Sequence, residues 1–465
     1  MFWLIYNTLL MLAFPVIIGL LLTKKRCRRG LLARLGKVPA PLRCLPGPVV
    51  WVHAVSLGEV TAIVPLLKAM KKEDPGQEII VSTVTETGRE LVLNQLQGIV
   101  THCYAPLDVW WAVSRYVRVL KPRVFLLVES EIWPNLITSL AQHQVPVCLI
   151  NGRISSRSFS RYRLVKRFMK PVWSSFDMAL MQSAQDAERI RELGVHANVV
   201  HVTGNMKCDQ SLNDSNGLDS TRAMRTSLGI SDIELVIVAG STHPHEEEHL
   251  LHAYQSLCDS KKHVVLVLAP RHIERALDLE GIIAQFGFSC IRRSKMTEKN
   301  PFSTHQQSPR VILLDSRGEL PHVYGLGFVG FVGGTLVPVG GHNLLEPAQW
   351  GRPVLFGPYV DHCQDLAHQL LQAGGAIQID QPKDLVTHFL RLLESPTEAE
   401  QMGRRALSVV QANRGVVKKN LGFISQFLNS SCPMAPDSVY PHLDSSVQNP
   451  DTMDNRFESS RTMLP

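Results

Sequence analysis

A chain of 465 residues exceeds the length at which one hydrophobic core stops growing, so two domains with appendages are expected. Apolar residues make up 45% of it and charged residues 19%, which excludes a wholly disordered or fibrous protein. The net charge of +7 is local: residues 1–58 carry eight Lys/Arg and no acid, the remainder stands at −1, and a nucleic-acid-binding role is thereby disfavoured.

The first 23 residues, MFWLIYNTLLMLAFPVIIGLLLT, hold no charge and are long enough to cross a hydrocarbon layer that needs roughly twenty apolar residues. Cations follow the run, as KKRCRR, instead of preceding it; this is the pattern of an uncleaved anchor and not of a secretory signal. The positive-inside rule keeps those cations on the cytoplasmic face, where each attracts anionic lipid by about 1 kcal/mol. Residues 1–23 are thus expected as a membrane anchor, 24–48 as a basic juxtamembrane segment, and the rest as cytoplasmic. Nine scattered Cys with no C-x-x-C pair fit a reducing compartment and give no zinc site.

From residue 49 to 207 short apolar runs (VVWVHAV, EIIVSTV, VFLLVES, VPVCLIN, MALMQS, NVVHVTG) alternate with helical patterns, as in a parallel sheet covered on both faces. Residues 208–232 are polar and read as a linker region. The alternation restarts over 233–428 with ELVIVAGS, HVVLVLAP, FSCIRR, RVILLD, FVGFVGG and PVLFGP, which predicts a second α/β domain and a cleft between the two. Residues 429–465 are rich in Ser, Pro and Asp without an apolar face, and are expected to be a disordered tail.

Several strand ends carry residues suited to chemistry. Glu59 in HAVSLGE sits where an apolar strand breaks into a helix; it reads either as a helix-start carboxylate favoured by the macrodipole or as a base in a cleft. Glu129 and Glu131 follow a strand in FLLVESEIWPN, one expected to cap or pack and the other to face the cleft. Lys207 in HVTGNMKCD ends the last strand of the first domain. A base on one side and a fixed ammonium near a leaving phosphate on the other would suit group transfer.

In the second domain Gly240-Ser241-Thr242 offers backbone N–H groups to an anion, or is ordinary turn chemistry. Arg271 ends a strand at the carboxyl edge, and Gly318-Glu319 follow another. The glycine cluster of GFVGFVGGTLVPVGGHNLLEP keeps side chains off a surface that something approaches closely. Asn343 and Glu346 either form a capping box or face a phosphate and ribose hydroxyls. Residues 151–170 hold seven cations and no acid, interleaved with Phe and Tyr, and suit a membrane or phosphorylated lipid surface.

Taken in order, HAVSLGE, VTETG, ESEIWPN, NGRISSRS, TGNMKCD, AGSTHPHEEE, LAPRH, RGEL and GGHNLLEPAQWGRPVLFGP resemble the motifs of the 3-deoxy-D-manno-oct-2-ulosonic acid (Kdo) transferases, the glycosyltransferases that modify lipid A in Gram-negative bacteria. The resemblance runs from residue 1 to about residue 428. It implies a GT-B fold, in which residues 49–207 form an acceptor-binding Rossmann-like domain and 233–428 bind CMP-Kdo. It further implies an inner-membrane location and a lipid A precursor (lipid IVA) as acceptor; no metal or other cofactor is expected, since the sequence offers no convincing ligand cluster and the donor has a single phosphate flanked by cations. By position, Glu59 is implied to be the base of an inverting transfer, with Glu129 and Lys207 acting at the transition state. Pro270 and Arg271, the turn Gly318, Glu319 and Leu320, and the stretch Asn343, Leu344, Leu345 and Glu346 are implied to hold CMP.

Two departures stand out: Arg317 occupies a position where Met is expected, and the long polar tail is not a general family feature. The tail suggests a chlamydial type, for which several successive Kdo additions are implied. A tension accompanies the role of Glu59, because a helix N-terminus lowers a carboxyl pKa whereas a base works best near the ambient pH. Rival readings are a GT-B enzyme or epimerase using a UDP-sugar, and a membrane-bound scaffold that kept the fold and lost the chemistry.

Overall fold

The apolar runs become strands of two all-parallel sheets in the computed structural model, which describes residues 2–23, 28–43, 45, 47–209, 217–260, 263–296 and 309–429. In the first sheet β1 (Val49–His53), β2 (Glu78–Thr83), β3 (Thr101–Tyr104), β4 (Pro122–Val128), β5 (Val147–Gly152), β6 (Met178–Met181) and β7 (Val200–Val202) are ordered β3-β2-β1-β4-β5-β6-β7. Every residue of β1 is buried, as a strand covered by helices on both faces requires.

The second sheet holds β8 (Leu235–Thr242), β9 (Val264–Pro270), β10 (Ser289–Arg292), β11 (Arg310–Leu313), β12 (Val329–Val332), β13 (Val354–Phe356) and β14 (Ala376–Gln378), in the order β10-β11-β9-β8-β12-β13-β14. The strand order reverses beside β1 and β4 in one sheet and beside β8 and β12 in the other. Those reversals open crevices at the carboxyl ends of the strands, where ligands of such sheets bind.

Three segments depart from the expected layout. Gly217–Ser227, inside the expected linker, is a helix, and its Met224 and the following Leu228 pack on the second domain's core; residues 210–216 lie outside the described residues. The final helix, Val416–Asn429, does not stay with the second domain. Its Val416, Leu421 and Ile424 join Val50, Val52 and Leu126 in the core of the first, because an amphipathic helix must bury its apolar stripe and the first domain supplies the matching surface. Asp209 fixes the return by accepting the N–H groups of Gly415 (2.6 Å) and Val417 (2.5 Å).

The third is the basic segment after the anchor, part of which is structural. Arg34 is buried, donates to the Val84 carbonyl at 2.6 Å and lies over the Tyr104 ring, while Arg29 pairs with Glu86. Lys24, Lys25 and Arg26 fall outside the described residues, as does the expected tail from residue 430.

Phe2–Thr23 is one helix, and Trp3–Thr23 is long and apolar enough to cross a membrane. One stripe of it rests on the first domain: the Tyr6 hydroxyl donates to Asp108 at 2.8 Å, Asn7 and Asn135 exchange amide hydrogen bonds, and Phe14 meets the Trp111 ring edge-on.

Ile424→Ala removes a fully buried side chain and should destabilise the first domain by about 2–4 kcal/mol. Six of the seven Trp precede residue 210, so urea unfolding followed by Trp emission reads that domain; an unshifted midpoint would show that the last helix contributes nothing to it.

Candidate active site

The turn after β1 carries Glu59 in the first turn of the helix Leu57–Glu73. Ser56 caps that helix by accepting the Glu59 N–H at 3.4 Å, and the carboxylate folds back to accept the Val55 N–H at 2.7 Å and the Ser56 hydroxyl at 2.9 Å. This is a capping-box arrangement, so the helix-start reading of Glu59 describes its scaffold. Its charge state is set elsewhere. Glu59 is 5% exposed, and burial, reinforced by the charge of Glu129, drives its pKa up to about 8 against the pull of the two hydrogen bonds. The tension posed by the helix start is therefore decided by desolvation.

Glu129 leaves β4 at the other side of the same crevice with φ +60°, a left-handed conformation uncommon for a residue with a side chain. Its carboxylate lies 3.4 Å from Lys207 Nζ. Glu131 is exposed and adds a smaller like-charge effect on Glu59. Of the two alternatives expected for one of these glutamates, to cap or to pack, capping does not occur at the following helix, Pro134–Gln142: Asp108 caps it from a separate loop, accepting the N–H groups of Asn135 (2.9 Å) and Leu136 (2.8 Å).

Lys207 stands where the chain passes between domains. Met206 before it is buried in the first core and Cys208 after it in the second. Asn151, a residue that sequence reasoning did not single out, holds this turn: its buried side-chain oxygen accepts the Met206 N–H at 3.0 Å. The side chain of Lys207 approaches Gly58, so a Cβ there would lie 4.0 Å from Nζ. Glu59, Glu129 and Lys207 thus share one end of the cleft.

Across it, Arg271 follows β9 with its N–H donating to the Thr242 carbonyl, and its exposed guanidinium has no ion-pair partner among the described residues. Glu346 is pushed up to about 7 by burial, offset first by the Asn343 amide at 3.2 Å and then by the charges of Arg271 and Lys207. Lys207 therefore acts on carboxylates of both domains. Asn343 also accepts the Leu345 N–H, which is the capping reading of that stretch. Leu344 and Leu345 are core side chains, and Pro270 is buried at the end of β9, so these positions offer the cleft backbone and not side chain.

The turn before the helix Leu320–Val323 has Gly318 at φ +87° and places the Leu320 side chain against Gly240. Glu319 is already engaged, held low by a two-pronged pair with Arg293 and by Ser316. Arg317 pairs with Glu274 at the surface.

Two features escaped the sequence reading. Glu246, fully buried, accepts four backbone N–H groups, from His243 (2.9 Å), Gly334 (2.7 Å), Thr335 (3.0 Å) and Leu336 (2.9 Å), and so ties the loop after β8 to the glycine-rich loop after β12. The loops touch so closely that a Cβ on Gly333 would fall 2.5 Å from the Ser241 carbonyl oxygen. The other is a His243–His342 contact, Nε2 to Nε2 at 2.8 Å, with His272 edge-on to His243. Burial and the nearby Arg271 lower His342 to about 4, which leaves it neutral and able to accept or donate one hydrogen bond. Among the described residues no group of three or more His, Cys, Asp and Glu is placed to hold a metal ion.

The expected basic surface is in part a helix, Ser156–Leu164, with no buried residue and with Leu164 87% exposed. Arg153 turns the other way and acts on His362 and Cys363 of the second domain.

Replacing Glu246 by Ala should cost at least about 3 kcal/mol, since four buried donors lose their acceptor; a chemical-denaturation midpoint equal to the parent's would contradict its anchoring role. The raised pKa of Glu59 means that the fold favours its protonated form. That stabilisation is complete below pH 4.5 and is lost as pH rises through about 8. Glu59→Gln should consequently melt close to the parent near pH 5 and progressively above it toward pH 9, whereas a pH-independent difference would refute the shift.

The model of the 3-deoxy-D-manno-octulosonic-acid transferase (kdotransferase) family matches residues 29–210. The chain is 32% identical to the 3-deoxy-D-manno-octulosonic acid transferase of Haemophilus influenzae over 91% of this chain and 98% of that one. It is 33% identical to the enzyme of the same name from Chlamydophila psittaci, over 76% and 79%. A glycosyltransferase of Rickettsia africae has the same fold at 11% identity (TM-score 0.58, 83% of this chain and 100% of that one). So has the UDP-GlcNAc 2-epimerase of Neisseria meningitidis, at 12% identity (TM-score 0.56, 81% and 100%). The two parallel sheets are thus those of the GT-B fold, and the protein belongs to the family of 3-deoxy-D-manno-octulosonic acid transferases.

Proposed function

We propose that this glycosyltransferase moves Kdo from CMP-Kdo to a hydroxyl of a lipid A precursor, in several successive additions, at the cytoplasmic face of the inner membrane and without a metal ion. The observation that carries the reading is the buried carboxyl of Glu59 at the switch point of one sheet, sharing one end of the cleft with Glu129 and with Lys207, which also acts on Glu346 of the second domain.

In this mechanism the Glu59 carboxylate takes the proton of the acceptor hydroxyl as its oxygen bonds to the anomeric carbon of Kdo. The bond from that carbon to the CMP phosphate breaks on the opposite side, and CMP leaves with the electron pair, so configuration inverts. Lys207, held between Glu129 and the second domain, is positioned to stabilise charge growing on the departing phosphate. Pro270, Arg271, the backbone of Gly318–Leu320 and the Asn343–Glu346 stretch hold CMP. The neutral His342 and His243 supply hydrogen bonds beside Arg271 without adding positive charge.

Mass analysis of lipid IVA incubated with CMP-Kdo tests the reading, and increments of two or more Kdo units are expected from the parent protein. Glu59→Gln should retain CMP binding and lose transfer by about a hundredfold or more, the scale of a lost general base. Parent protein that folds and binds CMP without any mass increment would overturn the proposal; transfer by Glu59→Gln at the parent rate would remove Glu59 from the mechanism.

A further inference from the structure

The apolar helix at the N-terminus lies along the first domain instead of standing away from it. Tyr6, Leu10, Phe14, Ile17 and Leu21 are half-buried at one-turn spacing, while Leu9, Leu12, Val16 and Leu20 on the opposite face are exposed. Such an arrangement leaves one face for lipid and one for the domain. Between the helix and the domain is an open cavity of about 280 Å³, walled by Leu10, Phe14 and Ile17 on one side and by Val109, Ile132 and Trp133 on the other.

The chemistry of the walls restricts the occupant. The carboxylate in the lining, Asp108, is already taken by the Tyr6 hydroxyl and the N–H groups of Asn135 and Leu136, so a polar ligand gains little there. The same bonds fix the start of the helix Pro134–Gln142 and thereby the cavity floor. Position restricts it further: Ile132 and Trp133 directly follow Glu131, whose charge reaches Glu59. Consecutive residues lie about 3.8 Å apart, so the apolar cavity and the acidic end of the cleft adjoin. Its other side is the helix that offers an apolar face to lipid.

We propose that this cavity is a subsite for a fatty acyl chain of the acceptor, gripped between the N-terminal helix and the Ile132–Trp133 turn while the sugar end of the same molecule lies in the cleft beside Glu59. The proposal rests on the lipid-acceptor reading above and deepens it: the N-terminal helix becomes part of the acceptor site as well as an anchor. An acyl chain in this groove would set how far the reacting hydroxyl reaches, which makes Leu10, Phe14 and Ile17 determinants of acceptor chain preference.

The test uses the full chain in lipid nanodiscs and a phosphorylated, acylated glucosamine disaccharide whose acyl chain ends in a diazirine. After irradiation and peptide mapping, label is expected within residues 6–17 and 132–134 and should be displaced by unlabelled lipid IVA. Phosphatidylethanolamine bearing the same diazirine chain should label the outer face of the helix without enrichment at 132–134. Acceptor label confined to the outer face, or equal labelling of 132–134 by the phospholipid, would overturn the subsite.

The variant Leu10→Trp fills the cavity and should weaken label at 132–134 and raise KM for the acylated acceptor about tenfold, the usual scale for a hydrophobic-pocket misfit, with kcat within about twofold. An unchanged KM, or a fall in kcat alone, would contradict it. Labelling requires no turnover, so cavity labelling without Kdo transfer would refute the proposed reaction while leaving the acyl subsite standing.

Discussion

Desolvation of a single carboxyl is the constraint on which the site turns. Glu59 belongs to a capping motif, and such motifs ordinarily keep a carboxylate ionised and structural. Here the surrounding apolar turn and the like charge of Glu129 outweigh two hydrogen bonds and move the group to about 8. One residue thus starts a helix and carries a carboxyl whose charge burial controls, and the cap fixes its geometry. Lys207 completes the arrangement because the chain crosses between the two cores at that residue, which ties its position to both domains.

The second domain is organised by a comparable device used for structure. Glu246 fills a nest of backbone N–H groups at the start of the glycine-rich loop and holds that loop against the turn after β8. The glycine cluster therefore serves a close approach of protein to protein at Gly333. What faces the cleft is the rim around it: Arg271, the paired His243 and His342, and Asn343 with Glu346.

Much of this was legible in the sequence because buried parallel strands are nearly continuous apolar runs, and β1, β4, β8 and β9 all read that way. The edge strands β3, THCY, and β14, AIQ, were not legible; three or four half-exposed residues carry too weak an apolar signal to stand out. The return of Val416–Asn429 to the first domain was hidden for another reason: its periodicity announces an apolar face but not the surface that will cover it. Within the site, Glu59, Glu129 and Lys207 were visible as charged residues at strand ends. Glu246 was not, since a run of three glutamates opening a helix reads as macrodipole chemistry, and only the fold reveals that two of them, Glu246 and Glu247, turn inward.

The central claim is that burial tunes Glu59 to act as the base of Kdo transfer, and the pH dependence of kcat/KM measures it most directly. A raised base is inactive while protonated, so the rate should climb about tenfold per pH unit below pH 7 and level off above about 8. A profile flat from pH 6 upward, with its acid limb near 4.5, would mean that the carboxyl titrates as if exposed and would contradict the account.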